Sequence, residues 1–176
     1  HLPSYWKTLE FFSLELANLD KYCRILFRPH PKEVIDHVRK TESLLRMSQV
    51  DVIRDDDGCP ETSIVASDIV ASCYSSCGFD NLLLNRKARV PFNASLFLLF
   101  NEDLRGYFQQ YTGLEDIPFA EDQILHSVTH HKNLCGILNS SDLLPNAPKL
   151  RELVPEPGQA GQRVLDLLLQ EYNERR

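Results

Sequence analysis

Two short stretches of this 176-residue chain combine residue types that can handle a phosphate. The first is Arg28-Pro29-His30-Pro31, in which two prolines restrict the backbone around one imidazole and so fix where it points. Protonated, His30 can donate to a phosphate oxygen and neutralise a departing nucleotide. Arg28 precedes it closely, and Arg24 and Lys32 add positive potential. The plainer role for Pro-His-Pro is a rigid exit from a strand.

The second stretch runs from Ile69 to Leu84. It reads as a short apolar strand (Ile69 to Ser72), a turn carrying Ser75 and Ser76, and an apolar helix opening at Gly78 and Asp80. Such a turn aims backbone N–H groups, the positive end of a helix dipole and hydroxyls at one spot, which suits an anion, above all a phosphate. The simpler alternative is that Ser75 or Ser76 caps the helix.

The elements that must position these groups follow from the pattern. Leu9, Phe12, Leu16 and Leu19 lie on helical spacing over residues 5–18. Tyr22 to Phe27 and Val50 to Ile53 read as strands, and a helix from Lys32 to Met47 lies between them, with Pro31 in its first turn. A short helix from Pro60 to Ala66 precedes the strand at Ile69, and the next helix spans Gly78 to Asn85. Ala88 to Phe92 reads as a fourth strand, Leu96 to Phe100 as helix or packed loop, and 101–112 as a helix closed by Gly113. A further helix from Ala120 carries Ile124, Leu125, Val128 and Leu134; Pro145 to Pro157 is connecting chain, and Gly161 to Arg176 a last helix.

Strands alternating with helices predict an α/β, Rossmann-like parallel sheet with helices on both faces. The whole chain, 1–176, is expected to be one nucleotide-binding domain with 159–176 packed on it as a C-terminal helix. Ligands of such sheets bind beyond the carboxyl ends of the strands. The loops Arg28 to Pro31, Arg54 to Gly58 and Cys73 to Gly78 are therefore expected to converge on one edge.

The bulk properties narrow the partners. With 43% hydrophobic and 25% charged residues the chain is of ordinary globular composition, and a net charge of -6 argues against a nucleic-acid surface. No apolar run approaches the roughly 18–20 residues of a membrane span. Cys23, Cys59, Cys73, Cys77 and Cys135 are an odd set without metal spacing, which points to reduced thiols and a cytoplasmic location. A chain that begins at His1, without a signal-like start, is expected to be a piece of a longer protein.

The Arg28-Pro29-His30-Pro31 loop, followed by Ser67-Asp68-Ile69-Val70-Ala71-Ser72-Cys73-Tyr74-Ser75-Ser76-x-x-Phe79-Asp80, resembles the nucleotide-binding half of a GT-B glycosyltransferase. The likeness is strongest to CDP-glycerol glycerophosphotransferases, which carry an Arg-x-His-Pro loop and an Asp-Tyr-Ser-Ser-x-x-Phe-Asp segment. Bacterial sialyltransferases and capsule polymerases using CMP-activated donors are similar. It covers roughly residues 20–112. The resemblance implies a CMP-, CDP- or UDP-linked sugar or polyol donor and no further cofactor. It also implies an N-terminal acceptor half missing here, and work in cell-surface polysaccharide synthesis. Peripheral membrane association through other parts of the native protein is compatible with that role. By the same resemblance His30 contacts the donor phosphate and assists the leaving group, Ser75 and Ser76 hold that phosphate, and Asp80 braces the turn. Cys73 departs from the pattern, standing where the phosphotransferases have Asp.

Other residues carry weaker signals. Asp55-Asp56-Asp57-Gly58 resembles the acidic-Gly motif of those sialyltransferases but follows the His-Pro loop instead of preceding it; it reads mainly as a turn, with contact to a ribose or metal as the minor option. His126, His130 and His131 fall on the helix predicted from Ala120, His126 and His130 at a metal-pair spacing but without a third ligand; a solvated histidine face is the favoured reading. The aromatic stretch Phe97 to Tyr111 reads as packing, and Asn93-Ala94-Ser95 matches a glycosylation acceptor pattern that means little inside a cell. Two alternatives to a transferase half stay open: a non-catalytic nucleotide, anion or interaction module, and an epimerase or hydrolase of similar two-domain build.

Overall fold

A computed structural model of the chain describes residues 3–156, apart from 57 and 74, together with 158. The predicted helix at 161–176, and with it the packing of 159–176, lies outside the described residues. Along the chain come α1 (Pro3–Ala17), β1 (Arg24–Phe27), α2 (Ile35–Arg46), β2 (Asp51–Arg54), α3 (Pro60–Val65) and β3 (Ile69–Ser72). They are followed by α4 (Cys77–Lys87), β4 (Ala94–Leu98), α5 (Glu102–Thr112), β5 (His126–Val128), a 3-10 turn (His131–Asn133), α6 (Leu134–Leu138) and α7 (Ala147–Leu153).

Every strand pairing is parallel, and the fold is the Rossmann-like α/β domain that the strand–helix alternation predicts. The strands form two hydrogen-bonded groups, β1-β2 and β3-β4-β5. β4 is central and wholly buried, with side chains alternating between two cores as the period of a strand requires. Leu96 and Leu98 face Tyr5 and Phe12 of α1 and Leu134 of α6; Phe97 and Leu99 face Leu82 of α4 and Leu150 of α7. Helices thus cover both faces of this sheet. Under β1-β2, α1 and α2 bury Ile25, Phe27 and Val52 between Leu9 and Leu45, while Leu26 and Ile53, partners in register, face outward.

Two elements hold the strand groups together. Tyr5 and Phe12 of α1 pack into the cores of both. On α3, Ser63 Oγ bonds Asp55 and accepts from Arg28 at the end of β1-β2, while the next carbonyl, that of Ile64, accepts from Asn93 Nδ2 at the start of β4 (2.8 Å). One helix and two adjacent residues span the gap.

The structure corrects four element assignments and a histidine face. The fourth strand is Ala94–Leu98, not Ala88–Phe92; Pro91 cannot donate to a ladder, and the wholly apolar run that follows shows no period by which to tell strand from helix. The helix predicted from Ala120 is a series of turns leading into β5, whose His126 to Val128 pair with Leu96 to Leu98. The i, i+4 spacing of Ile124, Leu125 and Val128 imitated a helix, but these residues are buried around a strand. Residues 147–153 are helical, Asn146 capping Lys149 N–H (3.1 Å), where connecting chain was expected. Pro31 lies in a turn before α2, which begins only at Ile35. The histidines share no helix: His126 Nε2 bonds the Leu143 carbonyl (3.0 Å), His130 is exposed, and His131 stacks on Phe11 with its Nδ1 2.8 Å from Glu15.

Candidate functional site

The Pro-flanked imidazole sits just beyond the carboxyl end of β1. His30 is exposed, its carbonyl accepts from Glu33 N–H (2.8 Å), and its Nδ1 accepts from Lys32 N–H (3.1 Å). An Nδ1 used as acceptor leaves the proton of the neutral ring on Nε2, the nitrogen free to donate outward. The short turn between the prolines and α2 therefore presents one oriented N–H donor.

Arg28 is held by the loop after β2. Its guanidinium is ion-paired to Asp55 (2.8 Å) and also bonds the Gly58 carbonyl and Ser63 Oγ. Through these partners Arg28 clamps the acidic loop to the end of β1. The loop is the turn that its composition implied: Gly58 N–H donates to Asp55 Oδ1 (3.2 Å), and Asp56 pairs with Arg54 (2.6 Å). Asp57 lies outside the described residues. The loops after β1 and β2 do meet, through this clamp.

Hydrogen bonds from Ser63, then from Arg28 and Gly58 N–H, hold the Asp55 carboxyl below its ordinary value of 3.8. A depressed carboxylate contributes its stability above the unfolded value, and the contribution is lost as pH falls through the folded one. The Gly58 amide resonance is expected to titrate with a midpoint below 3.8, and Arg28→Gln should move that midpoint upward. A midpoint indifferent to Arg28→Gln would mean that the clamp does not govern the loop.

Beyond the carboxyl end of β3 lies the hydroxyl pair. Ser75 and Ser76 are both exposed. Ser75 Oγ accepts from Cys77 N–H (3.3 Å), a local turn bond, whereas Ser76 precedes the first residue of α4 without capping it by its side chain. Its hydroxyl is left to solvent at the positive end of an eleven-residue helix. Asp80, in the first turn of α4, is exposed and braces the turn through no side-chain hydrogen bond among the described residues; its carboxylate complements the helix dipole directly.

Gly78 is required for packing. A Cβ placed there would meet Phe97 Cζ at 2.4 Å and Cε2 at 2.6 Å, so glycine lets α4 lie against β4. Cys73 is a core residue beside Leu96 and Leu98, and burial pushes its thiol up to about 12, which keeps it neutral and unreactive.

Each candidate residue thus lies at the carboxyl end of a parallel strand or on the helix that follows, but the two sets belong to different strand groups. No hydrogen bond, ion pair or ring contact among the described residues joins His30 to Ser75 or Ser76. Sequence reasoning missed Asp55 and Ser63 as the partners that hold Arg28; an Arg and an Asp, each just after a strand of a parallel pair, were the available signal.

What fold and loops define together is a class: a parallel α/β domain with exposed donors beyond its strand ends. Comparison of the chain with protein-family models, curated proteins and solved structures gave no match.

Proposed function

We propose that this chain is the donor-nucleotide-binding half of a glycosyltransferase or polyol-phosphate transferase acting in the cytoplasm on cell-surface polysaccharide. The observation that carries the reading is the pair of exposed donor sets: the Nε2–H of His30 after β1, and the Ser75 and Ser76 hydroxyls at the start of α4 after β3. In the proposed reaction these groups are preorganised around the phosphate of a CMP-, CDP- or UDP-linked donor. His30 and the N-terminus of α4 stabilise the negative charge that grows on the departing nucleotide, and this interaction is stronger in the transition state than in the ground state. In a transferase of this two-domain build the acceptor and its base are supplied by the other half. No helix among the described residues is long and apolar enough to cross a membrane.

Titration with CMP, CDP and UDP tests the reading. Each hydrogen bond to a charged phosphate contributes roughly 1.5–3 kcal/mol, so His30→Ala and Ser76→Ala should each weaken binding by about tenfold or more. Unchanged affinity in both variants removes the proposal. The clamping of Arg28 by Asp55 favours one second reading, a binding module without turnover, because it removes a cation from the phosphate's reach. Saturable nucleotide binding without donor cleavage in the full-length protein would select the module.

A further inference from the structure

Three arginines among the described residues are half-buried: Arg28, Arg86 and Arg105. Arg28 is clamped by Asp55, and Arg86 Nε donates to the Val154 carbonyl (3.2 Å). The side chain of Arg105, on α5, has no hydrogen-bond or ion-pair partner among the described residues. An anion arriving at this unpaired guanidinium would gain a charge-assisted hydrogen bond.

Arg105 lines an open cavity of about 560 Å³ between α5, the loop after it and the carboxyl end of β5. Gln109, Gly113, Glu115, Asp116 and Thr129 are among the other lining residues. The wall is preformed. Gly113 ends α5 in the left-handed conformation (φ 71°), Gln109 Nε2 donates to the Glu115 carbonyl (3.1 Å), and Asp116 accepts from Ser127 Oγ of β5 (2.7 Å). These bonds leave the Glu115 carboxylate, the Gln109 side-chain carbonyl and the Thr129 hydroxyl available. Arg105 and Glu115 border the same cavity without forming an ion pair. The cavity therefore offers a donor for an oxyanion together with acceptors for hydroxyl groups. Among the described residues no aromatic side chain lines it, and so none there offers a platform on which a nucleobase could stack.

We propose that this cavity is a binding site for an anionic polyol, a sugar phosphate or sugar acid whose oxyanion is held by Arg105 and whose hydroxyls donate to Glu115 and Gln109. The site is independent of the nucleotide reading. β5 and β3 are opposite edges of the three-stranded sheet, about 10 Å apart at the usual strand spacing.

The test is an amide-resolved NMR titration of the full chain with glucose 6-phosphate and gluconate, with glucose and inorganic phosphate as controls. Saturable shifts are expected at Gln109, Gly113 and Thr129. The two anionic polyols distinguish a phosphate from a carboxylate ligand, and binding of either supports the site. Arg105→Gln should weaken binding by at least about tenfold, the loss of a charge-assisted pair. Glu115→Gln, at an exposed side chain, should weaken it by about threefold or more while the spectrum keeps its dispersion. Inorganic phosphate binding as tightly as glucose 6-phosphate, titration of Arg105→Gln like the parent, or no saturable shift would each overturn the proposal. A CMP titration in the same spectra reads out at Ser75 and Ser76, so the two sites stand or fall separately.

Discussion

Asn85→Leu is expected to cost the domain about 3–5 kcal/mol, read as a fall in the urea unfolding midpoint. Asn85 is fully buried on α4, and its amide group joins four partners. Its Nδ2 donates to Asn93 Oδ1 (2.6 Å), Asn81 Oδ1 (3.2 Å) and the Asn81 carbonyl (3.0 Å), while its Oδ1 accepts from Phe92 N–H (2.8 Å). Asn81 in turn donates to Ser95 Oγ (2.9 Å), which donates to the Gly78 carbonyl (2.9 Å). Leucine matches the amide in size and removes the four bonds that the Asn85 side chain makes. The buried Asn93 Oδ1 and Asn81 Oδ1 would then lose their donor at about 1–3 kcal/mol each. Set against a total stability of about 5–15 kcal/mol, that is a large fraction. Asn139→Ala, at an exposed position, should change the unfolding free energy by less than about 0.5 kcal/mol. A comparable effect at both sites would mean that the network contributes nothing specific.

Gly78→Ala should destabilise by about 1–3 kcal/mol, since its methyl group would sit inside the contact distance of the buried Phe97 ring. The diagnostic result is the double variant. Phe97→Leu alone loses aromatic contact with Leu82 and Phe79 and leaves space. Combined with Gly78→Ala, that space admits the new methyl, so the pair should be less damaging than the sum of the single changes. Strict additivity in a urea-unfolding double-mutant cycle would show that the glycine is needed for something other than this contact.

Both predictions rest on residues whose meaning could not be read from their own stretch of sequence. Asn93-Ala94-Ser95 matched a glycosylation pattern, yet Asn93 and Ser95 are buried and spend their side chains inside the molecule. Gly78 looked like a loop residue near a phosphate, and only the three-dimensional neighbour Phe97 explains it. Elements whose ends carry their own signals were legible. α5 runs from the capping Asn101 to Gly113 as expected, and β1, β2 and β3 fall within a residue or two of their apolar runs. β4 and β5 were not legible, because a strand buried on both faces shows no alternation and a three-residue strand is too short to show any. The loops after the strands were placed correctly at the strand ends; the split into two strand groups depends on long-range pairing that no local pattern encodes.

That split has a mechanical consequence. Between Arg54 and Ile69 no ladder bond among the described residues joins one sheet to the other, so the separation between imidazole and paired hydroxyls is set by side-chain contacts instead of backbone pairing. On one side it is tensioned by the rings of Tyr5 and Phe12, and on the other by the clasp of Ser63 and Ile64. A substitution that loosens either fastening would change the span between the two loops while leaving both loops intact.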